Sequence, residues 1–217
     1  KTLSWRRGEG REICESAAKA IAEATEGGGW NNEPVLKAAP HSDKISQFIS
    51  GKNIVTTTDR AGDLVYCIRA GAIDDVALMS AVTVEEMSEF FLYAKEVNTA
   101  VADMRSVSSG RFCRICTAND LSGVNLFGPA SFRKALSLSS TKASTLYPAI
   151  SAETFLLNLP KLLNALVKLF KPLFPRSVQA KLKFRQGPLN GVEELGEVAR
   201  PGAKREIFLD EIEALRA

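Results

Sequence analysis

The chain has 217 residues, 45% of them hydrophobic and 24% charged, and a formal net charge of +3. That composition is ordinary for a soluble globular protein and allows a core of useful size. No apolar run free of charge is long enough for a transmembrane helix, and a surplus of three charges does not by itself point to nucleic acid.

Residues 2–11 are polar with one Trp, and the Ala-rich residues 12–26 read as a helix stopped by Gly27-Gly28-Gly29. Residues 30–41, with Pro34 and Pro40, read as a loop. His41 is the single His of the chain and has no Cys or carboxylate cluster near it in sequence, so it reads as a loop residue rather than a base or metal ligand. Residues 42–50 suit a short helix with Ser42 as its cap. Two strands follow at 54–58 and 64–69, joined by the turn Asp59-Arg60-Ala61-Gly62-Asp63. Residues 74–81 form a short helical turn. Thr83 is a good N-cap, and Glu85 and Glu86 in the first turn complement the helix dipole. From there Met87, Phe90, Phe91, Ala94, Val97 and Val101 mark an amphipathic helix to about Asp103.

Residues 112–119 read as a buried strand closed by Asp120-Leu121-Ser122-Gly123, and residues 129–140 as a helix with Pro129 in its first turn. Tyr147-Pro148 breaks the chain. Residues 154–157 and 179–184 read as strands, and residues 192–198 and 206–216 as helices. Strands alternate with helices from Ile54 onward, which predicts an α/β domain with a largely parallel sheet.

The chemistry of catalysis is not nominated by any motif. There is no GxSxG elbow, no phosphate-binding loop and no GxGxxG after a strand. One His leaves no Ser–His or Cys–His dyad. The carboxylate pairs Asp74/Asp75 and Glu85/Glu86 sit at helix starts, where they stabilise the N-terminus. Four Cys are present, and Cys113 and Cys116 have the CxxC spacing. Read as strand residues three apart they point to opposite faces, and no second CxxC or His pair completes a zinc site. All four are read as structural thiols in a reducing compartment. No catalytic residue, metal or cofactor is expected, and the lack of an initiator Met suggests a piece of a longer protein.

Residues 154–192 stand apart. This 39-residue stretch holds no Asp or Glu and seven basic residues: Lys161, Lys168, Lys171, Arg176, Lys181, Lys183 and Arg185. Leu159, Leu162, Leu163, Leu166, Leu169, Phe170 and Leu173 recur at spacings of three and four, and Lys161, Asn164, Lys168 and Lys171 recur on the other side. A helix here has one apolar and one cationic face, which suits an anionic lipid surface. The same pattern serves a core helix with a solvated polar face, and both readings stand on the residues alone. The partners of the charge are Leu and Phe rather than stacking aromatics, so no nucleic-acid partner is expected. A membrane span is not expected, because Pro160 and Pro172 interrupt the helix and each Lys at a bilayer centre costs about 2.5–3.5 kcal/mol.

Seven segments fall in the order of a known pattern. Asp59-Arg60-Ala61-Gly62-Asp63-Leu64-Val65 resembles "D-x-x-G-R-P-V". Val82-Thr83-Val84-Glu85-Glu86 resembles "V-T-x-E-E", and Asp120-Leu121-Ser122-Gly123 resembles "D-L-x-G". Tyr147-Pro148 resembles "Y-P-E", and Leu157-Asn158-Leu159-Pro160 resembles "I-N-A-P". Leu169-Phe170-Lys171-Pro172-Leu173 resembles "F-K-P-F-L", and Lys181-Leu182 with Gly187 resembles "K-I…G". Together, over residues 54–187, they resemble the CRAL-TRIO lipid-binding domain family. Thr2-Leu3-Ser4-Trp5-Arg6-Arg7 resembles the "WR" end of the small helical domain that precedes this fold. The expected division is a remnant of that helical region at 1–50 and a CRAL-TRIO-like domain at 51–217.

The resemblance implies a non-enzymatic protein that holds one lipid in an apolar cavity floored by a mixed, largely parallel sheet and closed by a helical gate at 160–175. The implied lipid-binding residues are Thr117, Leu162, Leu166, Leu169, Phe170, Leu173 and Phe174. The implied membrane contacts are Lys161, Lys168, Lys171 and Arg176. Phosphatidylinositol-binding members carry Glu after Tyr-Pro, where this chain has Ala149, and a Lys beyond the matching Gly, whereas residues 188–192 hold no basic residue. Thr117 falls where phosphatidylcholine-binding members place a cavity hydroxyl. The resemblance therefore implies phosphatidylcholine-like or more apolar cargo, and a cytoplasmic protein bound peripherally to an anionic membrane. The closing "L-P-x-E-x-G-G" pattern is missing near residues 198–204. An alternative expectation is an interaction module of a larger signalling protein, meeting a protein partner through its flanking regions.

Overall fold

The computed structural model describes residues 2–26, 32–50, 54–58, 63–125, 128–161, 167 and 176–186. The chain gathers into two compact units, each drawn from separated stretches. The first comprises Lys1–Gly51, Ile73–Phe112 and Leu126–Ile150, and its described elements are helices. The second comprises Lys52–Ala72, Cys113–Asn125 and Ser151–Ala217, and it carries the sheet.

The helical unit holds α1 (Thr2–Arg7), α2 (Arg11–Ala24), α3 (Asn32–Lys37), α4 (Ser42–Ile45), α5 (Asp75–Ala81), α6 (Val84–Ser109) and α7 (Ala130–Leu146). Helix α6 starts where Thr83 predicts it. The Thr83 side chain accepts from the Glu86 backbone N–H at 3.1 Å, and the Glu86 carboxylate accepts from the Thr83 N–H at 2.8 Å. This reciprocal cap satisfies two donors that the first turn leaves without partners. Gly110, at φ 67°, ends the helix in the left-handed region open to glycine. The expected end near Asp103 falls short by about a turn and a half, because Ser106, Ser108 and Ser109 do not extend the apolar period.

Helix α6 packs against α2 and α7. It buries Met87, Phe90, Leu92, Tyr93, Val97 and Val101, so more than one stripe is covered. Helix α2 meets it through Ala17, Ala20, Ile21 and Ala24, small side chains that let helix axes come close. The Tyr93 hydroxyl donates to the Val35 carbonyl at 2.9 Å and so ties down α3. That helix lies in a stretch expected to be a loop. Pro34 is its third residue, in the first turn, where a missing N–H costs nothing.

Glu96 is 3% exposed in the middle of α6. Its carboxylate takes the Arg6 guanidinium at 3.0 Å on one oxygen and the Tyr147 hydroxyl at 2.6 Å on the other. Trp5 packs edge-on against Tyr147, ring centroids 6.3 Å apart. A buried carboxylate is tolerable only with such partners, so α1 is held by charge as well as by its indole. His41 lies in a turn, as expected, but with carboxylate partners. It adopts φ 59° ahead of α4, and its Nε2 lies 2.8 Å from Glu89. It takes the N-cap position expected of Ser42, whose hydroxyl instead donates to the Lys37 carbonyl at 2.7 Å.

The sheet unit holds β1 (Ile54–Thr58), β2 (Leu64–Arg69), β3 (Ile115–Asp120), β4 (Ser151–Leu157), α8 (Arg176–Lys181) and β5 (Leu182–Arg185). Among the described residues the strands lie in the order β1-β2-β3-β4-β5. The first pair is antiparallel and the other three are parallel, which is the mixed, largely parallel sheet expected. Strands β1 and β2 fall where the sequence puts them. The last strand is shorter than expected, since helix α8 occupies the chain to Lys181 and passes straight into β5.

Candidate functional site

Adjacent strands in register place their paired side chains on one face of the sheet. One face of β2, β3 and β4 carries Val65, Cys67, Cys116, Ala118, Phe155 and Leu157. All are buried, Leu157 and Ala118 completely. Burial pushes the Cys67 thiol up to about 12, with Asp120 adding to it. This is the sealed face.

The opposite face differs. Tyr66, Ile68, Thr117, Thr154, Leu156 and Phe184 are all half-buried. A register shift between Ile115 and Thr117 re-aims β4, bringing Thr154 beside Thr117. Tyr66, Thr117 and Thr154 therefore form a row of hydroxyls across three strands. None of the three hydroxyls has a hydrogen-bond partner among the described residues. Desolvation raises the Tyr66 phenol above its ordinary range, so it stays a neutral donor. The same face also carries half-buried Ile115, Asn119 and Leu182 and, at the start of β2, the fully buried Leu64, so it is mainly apolar with neutral polar groups and none of these side chains is charged.

The carboxyl ends of the parallel strands are joined by a polar cluster. Asp120 accepts from the Ser122 N–H at 3.0 Å, the Ser122 hydroxyl at 2.7 Å and the Asn158 amide at 3.0 Å. The Arg69 Nε lies 3.9 Å away. Burial alone would raise the Asp120 carboxyl, but the Asn158 and Ser122 hydrogen bonds outweigh it and hold it below the usual carboxylate range. Asn158, at φ 54°, uses its tolerance of left-handed backbone to turn its own N–H to the Arg185 carbonyl at 3.0 Å. Gly71 is needed beneath this cluster: a Cβ there would lie 1.8 Å from the Ser122 carbonyl oxygen. The motifs Asp120-Leu121-Ser122-Gly123 and Leu157-Asn158-Leu159-Pro160 thus lock strand ends together.

Of the residues expected to bind lipid, Thr117 sits at the centre of the half-open face. Leu162, Leu166, Leu169, Phe170, Leu173 and Phe174 lie outside the described residues, as do Lys168 and Lys171. Lys161 is exposed, and Arg176 is the first residue of α8. Tyr66 and Thr154 were missed by sequence reasoning. The sequence marks 64–69 as a strand but not which face Tyr66 takes, and Thr154 depends on a register shift that no local signal announces. Cys113 precedes β3 rather than lying in it. Both CxxC thiols are buried, and no three metal-binding side chains come together among the described residues. No helix among the described residues is long and apolar enough to cross a membrane.

This is a mixed α/β fold whose five-stranded sheet has one sealed and one half-open face. The CRAL/TRIO domain model matches residues 49–194, and the chain belongs to that family. Among solved structures, the crystal structure of Sfh5 is similar in fold: the TM-score is 0.55 at 13% identity, over 90% of this chain and 69% of that one. No curated protein sequence matches. CRAL/TRIO domains bind and transfer lipids, generally without catalysis, so lipid binding in that general sense is the function the family carries.

Proposed function

We propose that the chain carries one lipid against the half-open face of its sheet, as a carrier that docks peripherally on anionic membrane surfaces. The observation that carries this reading is the row Tyr66, Thr117 and Thr154, three hydroxyls with no partner among the described residues on a half-buried, mainly apolar surface. Such a surface desolvates acyl chains at about 0.8 kcal/mol per CH₂ while keeping a few neutral donors for a polar headgroup. A charged inositol phosphate would call for cations that this face does not offer, and Ala149 stands where inositol-binding members have Glu. Phosphatidylcholine-like or more apolar cargo fits better. On this reading residues 51–217 form the lipid domain, in keeping with the family match from residue 49, and residues 1–50 are the helical remnant. Residues 160–175 supply the gate, with Leu162, Leu166, Leu169, Phe170, Leu173 and Phe174 over the lipid. Lys161, Lys168, Lys171 and Arg176 meet headgroups.

The test is mass spectrometry of lipids extracted from the purified chain after exposure to a mixed eukaryotic lipid pool. One lipid class near one mole per mole is expected, and Thr117→Trp, which fills the centre of the face, should strip most of it. A folded wild-type chain that retains no lipid would refute the carrier reading. Stoichiometric phosphatidylinositol would overturn the cargo assignment.

A further inference from the structure

Six large apolar side chains are exposed among the described residues, and they are not spread evenly. Leu3, Val76 and Leu136 come from three separate helices, and scattered exposed apolar side chains are normal for any protein surface. Met104, Val107 and Phe112 lie within nine residues, at the carboxyl end of α6 and the turn after it. They are 56%, 85% and 58% exposed. We propose that this helix end is a docking surface for an anionic bilayer.

Two observations choose that partner. The first is charge. Residues 104–112 contain Arg105 and Arg111 and no acid, and Arg111 is exposed. Apolar side chains interleaved with arginine match the boundary between acyl chains and anionic headgroups. The second is hydrogen bonding. A helix end offers orphan carbonyls and here three serine hydroxyls, which would resist leaving water. In this turn they satisfy one another. The Ser106 hydroxyl donates to the Ala102 carbonyl at 2.8 Å, and those of Ser108 and Ser109 donate to the Arg105 carbonyl at 3.1 and 2.7 Å. Side-chain hydroxyls folded back on the backbone leave fewer polar groups to strip on insertion.

The surface deepens the membrane reading given above but uses none of the gate residues, so the two can fail separately. The full chain carries Val107→Cys with an environment-sensitive dye. Cys67, Cys113 and Cys116 are buried, and the Cys14 thiol, pushed up to about 12 by burial and by Glu96, competes weakly for label. Vesicles of phosphatidylserine in phosphatidylcholine should blue-shift the dye, and pure phosphatidylcholine should do so much less. Val107→Asp should weaken binding to the anionic vesicles at least tenfold. Arg111→Gln should weaken it by roughly fivefold. Val107 is largely solvent-exposed, so Val107→Asp should leave the melting curve unchanged. A chain that binds anionic vesicles without a dye shift, and loses binding only on Lys168→Glu with Lys171→Glu, would overturn the surface and leave the gate reading standing. A shift in the absence of vesicles that grows with protein concentration would assign the patch to a second copy of the chain and overturn it equally.

Discussion

The two faces of the sheet are built from the same strands and differ in what they are for. On the sealed side Cys67, Ala118, Phe155 and Leu157 are at most 6% exposed, small and large side chains alternating to fill space. On the other side Leu64 is buried, but Tyr66, Ile68, Thr117, Asn119, Thr154, Leu156 and Phe184 all stop at partial burial, and three hydroxyls have no partner among the described residues. Folding alone has no use for the second arrangement, since a partly buried apolar surface forgoes stabilisation at about 25 cal/mol per Å² left in water. The difference teaches where stability and function divide: on one face a substitution should unfold the chain, and on the other it should change what the chain holds.

The sharpest way to break that comparison uses neighbouring leucines. Leu157→Ala opens a cavity on the sealed face, where Leu157 is 0% exposed, and should cost about 2–5 kcal/mol. Leu156→Ala removes the same atoms from the half-open face and should cost only about 1 kcal/mol. Urea denaturation measures both. Lipid retention should invert the order, with the folded Leu156 variant losing more cargo than its stability loss explains. Equal costs for the two leucines would mean that the faces do not differ as described.

A smaller effect separates the helical unit from the sheet by pH. Lys44 donates to Glu86 at 2.6 Å, and with the Thr83 cap it holds the Glu86 carboxyl at about 2, against an ordinary 4.5. A carboxyl lowered by folding contributes stability that is complete above about pH 4.5 and is lost as the pH falls toward 2. Acid titration of the fold should therefore show a loss in that window that Glu86→Gln reduces, the remainder coming from groups such as Asp120. A wild-type acid transition lying wholly above pH 5 would assign acid sensitivity elsewhere.

How far the sequence disclosed these features follows from the range of each interaction. Strands β1 and β2 and the start of α6 are local: alternation, a turn and one threonine suffice. The order of motifs from Asp59 to Gly187 revealed the family although no one motif would have. Helix α3 was hidden because Pro34 reads as a breaker unless its place in the first turn is known. Glu96 looks like any surface acid, and its partners Arg6 and Tyr147 lie 90 residues before it and 51 residues after it. The hydroxyl row needs three strands in register and a bulge, so only Thr117 was found, through the resemblance. Asp120 and Asn158 were both quoted as motif residues, but their hydrogen bond across 38 residues is a property of strand order.

The smallest expected effect sharpens the comparison by leaving both faces alone. Ala149 is exposed and held at φ 66° just ahead of β4, a left-handed backbone that costs an L-residue about 1–2 kcal/mol. Glycine adopts it freely, but gives back about 0.4–1 kcal/mol through the entropy of the unfolded chain. Ala149→Gly should therefore stabilise the protein by about 0.5–1 kcal/mol, seen as a higher urea midpoint at constant slope. Since Ala149 is exposed and lies outside the strands that form the two faces, lipid content per folded molecule should stay at the wild-type value. A variant that gained stability and lost lipid would show that the backbone at residue 149 takes part in holding cargo, and the division between the two faces would have to be redrawn to include it.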